Sequence, residues 1–128
     1  MLFQSDWFMR QIQMMVQFIA RVIFKKDFIE YEIENEDMLT EDDILYRRIF
    51  ELVDKNMFCD AEDLLFQSLC TSNLQHLKIS LCFYNELNKF DDSALESADF
   101  PRDEIESGLK DIIRLYDLTD IIGSEDLI

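Results

Sequence analysis

Side chains that could do chemistry are few in this chain and lie far apart in the sequence. His76 is the only histidine, and the three cysteines, Cys59, Cys70 and Cys82, are separated by 11 and 12 residues. Zinc motifs hold their paired ligands much closer together, so this spacing predicts no metal site. Each cysteine lies within or beside an apolar run, where we expect a small buried hydrophobic side chain; a reactive thiol is the alternative. Unpaired cysteines suit the reducing cytoplasm, which is the location that we expect.

His76 falls on a predicted helix, one turn before Ser80. We expect a half-buried structural histidine, and the alternative is a general base. A dyad of Ser80 and His76 would lack the hydrogen-bond donors of an oxyanion hole. Neither Gly108 nor Gly123 belongs to a phosphate-binding loop; Gly108 stands inside a predicted helix, where it is expected to permit close packing. The sequence therefore predicts no catalytic residue, no cofactor and no enzymatic activity.

The segment 27–43 carries nine carboxylates and neither lysine nor arginine. The acidic run 30–43 within it suggests calcium binding, but a calcium loop needs its ligands at set positions and a glycine for its sharp turn. No glycine occurs in the segment. We therefore predict a solvated acidic surface here and no metal site.

Charge is unevenly distributed along the chain, whose formal net charge is −16. Residues 1–26 contain four basic residues and one acidic residue, a net charge of +3, so the remainder carries −19. An acidic body repels phosphate backbones, and the sequence therefore predicts no nucleic-acid binding. The same charge favours a basic protein partner.

Composition predicts an all-α fold. The 128 residues are 48% hydrophobic and include 11 Phe and 6 Met, but only 2 Gly and 1 Pro. All-β folds use many tight turns that consume Gly and Pro, whereas long helices need few of either. A chain of this length is typical of one domain, so we expect residues 1–128 to form a single all-α domain.

Capping signals and hydrophobic periodicity divide the chain into five segments. Thr40 and Asp43 form a predicted capping box that begins one helix, Asp60 is the predicted cap of the next, and Pro101 marks the first turn of the last long helix. The predicted segments are a long hydrophobic N-terminal helix at 1–26, an acidic extended connector at 27–43, antiparallel helix hairpins at 44–97, a capping helix at 101–117 and a loosely attached tail at 118–128.

The N-terminal helix is apolar around most of its circumference. Its polar residues recur every three or four positions and form one narrow stripe, so several neighbours must cover the rest. Charged and amide side chains interrupt the apolar run, which excludes a transmembrane helix and does not fit a secretory signal. The candidate interaction surface consists of Trp7, Phe8, Met14, Met15 and Phe18. This surface could pair two copies of the chain or, as an alternative, attach reversibly to a membrane surface.

A shift of 32 residues aligns the chain with itself over the end of one helix, a turn and the start of the next helix. The turn with Asn56, Phe58 and Ala61 resembles the tetratricopeptide repeat, in which a helix-ending glycine, an aromatic residue and a small residue hold these positions. Asn tolerates the left-handed conformation that ends a helix. Asn73 departs from the family, which has proline there. The resemblance covers about residues 44–97 and implies a two-repeat stack; an irregular helix bundle is the alternative.

Three other stretches, at 7–12, 61–65 and 108–112, make the whole chain similar to a family of small bacterial proteins of unknown function. That resemblance implies no activity and brings no functional residue. Stacked hairpins present grooves to other molecules. The leading hypothesis is therefore a non-enzymatic protein-interaction module with an acidic surface and an unknown protein partner, expected to be basic. Reversible membrane attachment through the N-terminal helix is the alternative, and an enzyme with an unrecognised site comes third.

Overall fold

A computed structural model describes residues 2–122 of the protein, and these residues form seven α-helices. No β-strand occurs within the described range, and the all-α fold class is thus confirmed. The segment 24–40 between the first two helices is neither helix nor strand. The helices are α1 (Leu2–Ile23), α2 (Glu41–Asp54), α3 (Phe58–Ser68), α4 (Leu74–Leu87), α5 (Asp92–Ser97), α6 (Arg102–Leu115) and α7 (Thr119–Ile122).

The centre of the fold is α4, which packs against α1, α2 and α6. Its apolar residues point to several sides of the helix, and this is the pattern of a helix that neighbours surround. Those with no exposed surface are Leu77, Ile79, Leu81, Phe83, Tyr84 and Leu87. The three flanking helices therefore share one core, and α4 fixes the position of each relative to the others.

The start of α2 follows the predicted capping box. The hydroxyl of Thr40 accepts a 3.0 Å hydrogen bond from the backbone N–H of Asp43, and the Asp43 carboxylate accepts one of 3.0 Å from the Thr40 N–H. Tyr31 donates a 2.6 Å hydrogen bond to the same carboxylate, and its ring stacks on Tyr46 with 4.6 Å between centroids. The acidic segment before α2 is therefore attached to the helix that it precedes.

The turn between α2 and α3 has the left-handed residue that the sequence predicts. Asn56 has φ of 60°, and the next N–H, of Met57, bonds the Leu52 carbonyl at 2.9 Å. Ala61 is completely buried, and α3 packs directly on α2. The prediction that Asp60 caps α3 was wrong: the cap is Met57, three residues earlier, and α3 begins at Phe58, because the left-handed turn lets the chain resume helical geometry at once. The carboxylate of Asp60 lies in the first turn of the helix.

The first part of the predicted tail is packed and not loose. Asp117 has φ of 57° and reverses the chain after α6, so that α7 packs on α1. Leu118 and Ile122 are only 8% and 7% exposed. Four residues supply enough apolar surface to dock because α1 leaves an uncovered apolar side next to them. Residues 123–128 of the predicted tail lie outside the described range.

A buried arginine joins three parts of the fold. Arg102, at the start of α6, donates from Nη1 to the backbone carbonyl and the side-chain oxygen of Asn88 at 2.8 and 2.9 Å. The Asn88 amide in turn donates to the carbonyl of Met9 in α1 at 3.0 Å. A cation at the carboxyl end of α4 is favourable because the last carbonyls of a helix lack intrahelical partners. The network therefore holds α1 and α6 at the end of α4.

Candidate functional site

The candidate interaction surface of the sequence is only partly exposed in the structure. Trp7, Met14 and Phe18 are 51%, 49% and 36% exposed. Phe8 is half-buried, and its ring lies edge-on against the Trp7 ring with 5.1 Å between centroids. Met15 has no exposed surface and belongs to the core, so its assignment to the surface was wrong. On a helix that is apolar on nearly all sides, the sequence does not distinguish the buried side from the open one.

The three exposed apolar residues of α1 form one row along the helix. With 100° per residue, positions 7, 14 and 18 fall within about 40° of each other. The opposite side of α1 packs on α4 and α6, and α7 covers one flank. Its buried residues are Ile12, Met15, Val16, Ile19 and Ala20. The row is therefore the side of α1 that its neighbours leave open.

Two arginines lie beside the apolar row. Arg10 and Arg21 are both exposed, and the Arg21 guanidinium lies 3.9 Å from the exposed carboxylate of Asp27, a distance at which a surface ion pair contributes little. We call the set Trp7, Arg10, Met14, Phe18 and Arg21 the outer face of α1. Its charge is opposite to that of the chain as a whole.

The apolar surface continues from the outer face onto α7. Phe18 and Val22 of α1 line a narrow apolar crevice together with Leu118 and Ile121. Ile121 is itself 51% exposed. The exposed apolar side chains of α1 and α7 therefore form a continuous patch, which is a feature of surfaces that bind other molecules.

His76 is a half-buried histidine whose two ring nitrogens both have partners. Nδ1 accepts a 3.0 Å hydrogen bond from the backbone N–H of Cys70, so the proton of the neutral ring lies on Nε2, which is 3.0 Å from the Asp42 carboxylate. The Asn73 side-chain amide donates to the same carboxylate at 3.2 Å. The ring thus joins α2 to the loop before α4. No sequence signal connects Asp42 to this histidine, since 34 residues separate the two.

An open cleft of about 480 Å³ lies beside this histidine. Its lining residues come from the start of α2, the end of α3 and the start of α4: Glu41, Asp42, Ile44, Leu45, Arg48, Ser68, Asn73 and His76. Asp42 and His76 already bond each other, and the basic lone pair of Nδ1 is occupied by a backbone N–H. The arrangement therefore joins the start of α2 to the start of α4 beside the cleft.

The three cysteines occupy different environments, contrary to the prediction that all are buried. Cys82 is buried, and desolvation raises the pKa of its thiol to about 12. Cys59 and Cys70 are exposed. Partial desolvation and nearby carboxylates raise the pKa of Cys59, whereas a contact of 3.1 Å with the Ser72 hydroxyl lowers that of Cys70. Neighbouring apolar residues in the sequence do not determine on which side of a helix end or loop a thiol lies.

Gly108 permits a close approach between α6 and the α3–α4 pair. Tyr84 donates a 2.6 Å hydrogen bond to the Glu62 carboxylate. A Cβ atom on residue 108 would lie 2.3 Å from the Tyr84 oxygen and 2.6 Å from Oε2 of Glu62. Burial raises the pKa of Glu62. This pair lies within the packing of three helices, where a carboxylate that accepts a hydrogen bond from tyrosine stabilises the contact.

Two further findings concern metals and membranes. Across residues 2–122, no group of three or more His, Cys, Asp or Glu side chains is arranged to hold a metal ion. Among the same residues, none of the helices combines the length and the hydropathy that crossing a bilayer requires.

Comparison with known proteins gives one result. The model of DUF6483, a family of unknown function, matches residues 2–117, which include the outer face of α1, His76 and its partners Asp42 and Cys70, and Arg102. Neither curated proteins nor solved structures give a significant match. Because the family model covers most of the chain, the protein belongs to the DUF6483 family.

Proposed function

We propose that this protein is a non-catalytic interaction module that binds another protein through the outer face of α1. The observation that carries the proposal is the exposed row of Trp7, Met14 and Phe18 on an otherwise packed helix. Large apolar side chains that line up at the surface of a folded domain mark interaction sites more often than isolated ones do. Tryptophan and arginine are also the residues most enriched among those that dominate binding energy.

The fold supports this proposal because it holds the outer face rigidly. The Met9 carbonyl, between Trp7 and Met14 in sequence, accepts a hydrogen bond from Asn88, which Arg102 fixes in turn. A surface that is ordered before binding loses less conformational entropy when its partner docks. The outer face is therefore preorganised for recognition.

The charge of the outer face defines what its partner must supply. The net charge of the whole chain predicted a basic partner, but the exposed apolar row lies between Arg10 and Arg21. A partner for this surface needs apolar side chains for the row and aromatic rings or carboxylates for the two guanidinium groups. A basic partner remains a proposal for the acidic remainder of the surface.

The hairpin of α2 and α3 is proposed as one unit of a tetratricopeptide-like pair, with α4 and α5 as the second. What supports the first unit is the left-handed Asn56 and the buried Ala61. The second unit differs, because Asn88 at the equivalent position has φ of −65° and a side chain committed to Arg102 and Met9. In this proposal the hairpins serve as the scaffold behind α1.

Membrane attachment is the second candidate for the same surface. The feature that favours it is the combination of Trp7 with two arginines on one helix face, as in helices that lie at lipid interfaces. Anionic phospholipid vesicles distinguish it from protein binding. Co-sedimentation of the wild type, but not of Met14→Arg, would assign the outer face to lipid.

The experiment for the leading proposal compares three forms of the whole protein as bait in extracts of the source cell. These are the wild type, Met14→Arg on the outer face and the control Met38→Arg, which changes a 75% exposed methionine outside α1. We expect partners that the wild type and the control retain and that Met14→Arg loses. Binding is then measured with purified components through Trp7, the only tryptophan. An identical set of retained proteins for all three baits would contradict the proposal.

A further inference from the structure

The residues of the outer face of α1 are spaced symmetrically on either side of Met14. Arg10 and Phe18 lie four residues to either side of it, and Trp7 and Arg21 lie seven residues to either side. Each side of Met14 thus has one aromatic ring and one guanidinium group. Arginine comes first on the N-terminal side, and the aromatic ring comes first on the C-terminal side. All five side chains are exposed. Such an order matches a copy of itself that runs in the opposite direction, which is the requirement for a two-fold symmetric interface.

We propose that the partner of the outer face is a second copy of this chain, docked with the two α1 helices antiparallel and the two Met14 side chains facing each other. This inference rests on the proposed function, because it identifies the partner of the same surface. In this arrangement Phe18 of one protomer lies level with Arg10 of the other, about 6 Å along the axis from Met14. Trp7 lies level with Arg21, about 10.5 Å from it.

The pairing satisfies both requirements of the surface. Each guanidinium meets an aromatic face, and cation–π contacts of this kind favour arginine with tryptophan above other pairs. The two methionines at the centre cover each other, and methionine adapts its shape to such contacts. Because Phe18 adjoins Ile121 on α7, the apolar contact extends beyond the helix pair itself.

Long-range charge favours this orientation over others. Each copy carries a net charge of −16, so two copies repel each other through most of their surfaces. Residues 1–26 carry +3, which makes α1 the side on which two copies approach with the least repulsion. The net negative charge of the whole chain therefore does not prevent two copies from docking through their outer faces. Because one helix face is small, we expect a reversible, concentration-dependent dimer.

The first test is the mass of the whole protein by analytical ultracentrifugation over a concentration series, with Trp7 emission recorded on the same samples. We expect a monomer–dimer equilibrium and a blue shift of the emission as Trp7 becomes covered. Met14→Arg and the double variant Arg10→Glu, Arg21→Glu should weaken association by about tenfold or more. Met38→Arg should dimerise like the wild type. The double variant Arg10→Lys, Arg21→Lys keeps the cations but loses the planar guanidinium groups, so it should dimerise more weakly than the wild type and more strongly than Arg10→Glu, Arg21→Glu.

The second test determines the orientation of the two helices by disulfide formation. In a background of Cys59→Ser and Cys70→Ser, oxidised Met14→Cys should form a covalent dimer, because the two positions face each other. Trp7→Cys should not, since its two copies are about 21 Å apart along an antiparallel pair. Equal cross-linking of both variants would indicate a parallel pair and overturn the arrangement.

The remaining outcomes separate this inference from the proposed function. A mass that stays monomeric up to about 1 mM, the weak end of specific association, overturns the dimer, and so does a dimer that Met14→Arg leaves unchanged. If the protein is monomeric but extract proteins still bind in a Met14-dependent manner, the proposed function holds and its partner is a different chain. If neither association depends on Met14, both are wrong.

Discussion

The phenolic hydroxyl of Tyr84 lies 2.6 Å from Oε2 of Glu62 and donates a hydrogen bond to it. Tyr84 is completely buried in α4, and Glu62 reaches it from α3. Gly108 of α6 faces both atoms without a side chain. Three helices therefore meet at one buried polar contact. The ionisation of Glu62 and the size of residue 108 each lead to a prediction.

The ionisation of Glu62 should make stability depend on pH. Burial raises its pKa above the ordinary value of 4.5, so the folded state retains a proton that the unfolded state has released. Stability therefore falls as the pH rises from that value through the folded-state pKa. Glu62→Gln has no buried carboxyl group to ionise. The stability of the variant relative to the wild type should therefore increase from about pH 4 to about pH 7.

Urea unfolding at the two pH values measures this gain. The control is Glu96→Gln, which changes an exposed glutamate on α5 and should show the pH dependence of the wild type. A difference between Glu62→Gln and the wild type that is the same at both pH values would contradict the assigned shift.

The second prediction concerns the size of the side chain at position 108. Alanine normally stabilises a helix by about 1 kcal/mol relative to glycine. Here its Cβ would lie 2.3 Å from the Tyr84 oxygen, and the Tyr84 ring is completely buried. Gly108→Ala should therefore lower the free energy of unfolding by about 1–3 kcal/mol, the usual cost of overpacking. Ser107→Ala, on the exposed side of the same helix, should be neutral or slightly stabilising; equal effects of the two would contradict the close contact.

The third prediction concerns the buried guanidinium group of Arg102. Its side chain is only 5% exposed, and Arg102→Met would leave the carbonyl groups of Asn88 without their donor. The free energy of unfolding should fall by about 3 kcal/mol, as expected for buried polar groups that lose a charged partner. Arg114→Met removes a 62% exposed arginine from the same helix and should change stability by less than about 0.5 kcal/mol. Chemical denaturation of both variants measures the difference, and similar losses would refute the network's role.

The thiols should react in a fixed order. At neutral pH we expect alkylation fastest at Cys70, whose pKa is lowered, slower at Cys59, whose pKa is raised, and at Cys82 only after unfolding. Mass spectrometry of partially alkylated protein gives the three rates. Ser72→Ala should slow Cys70 because it removes the hydrogen bond that stabilises the thiolate. Thr71→Ala is the matched control and should leave the rate unchanged.

Local features of the fold could be predicted from the sequence because their signals are local. The capping box of Thr40 and Asp43 and the left-handed Asn56 each depend on residues within one or two turns, and the structure has them where the sequence places them. The cap of α3 differs by three residues from the predicted one, because Asp60 is a good capping residue and only the geometry of the preceding turn places the cap at Met57 instead.

Contacts between distant residues could not be predicted in the same way. Asn88 bonds Met9 across 79 residues, and His76 bonds Asp42 across 34. Neither pair carries a spacing or composition signal, because their proximity results from the packing of whole helices. The same reason explains the outer face: Met14 and Met15 are neighbours of one residue type, yet only the arrangement of α4, α6 and α7 makes one exposed and the other buried.

The hydrogen bond between Asn88 and the Met9 carbonyl makes α1 part of the folded core, so the helix cannot be removed without affecting the rest of the domain. A truncated chain that starts after residue 26 would lose the cover of α4 and α6 and leave the Asn88 amide without its acceptor. Such a fragment is expected to aggregate, and its failure to bind a partner would then reveal nothing about recognition. Single substitutions on the outer face of the intact protein are therefore the informative way to test the proposed binding.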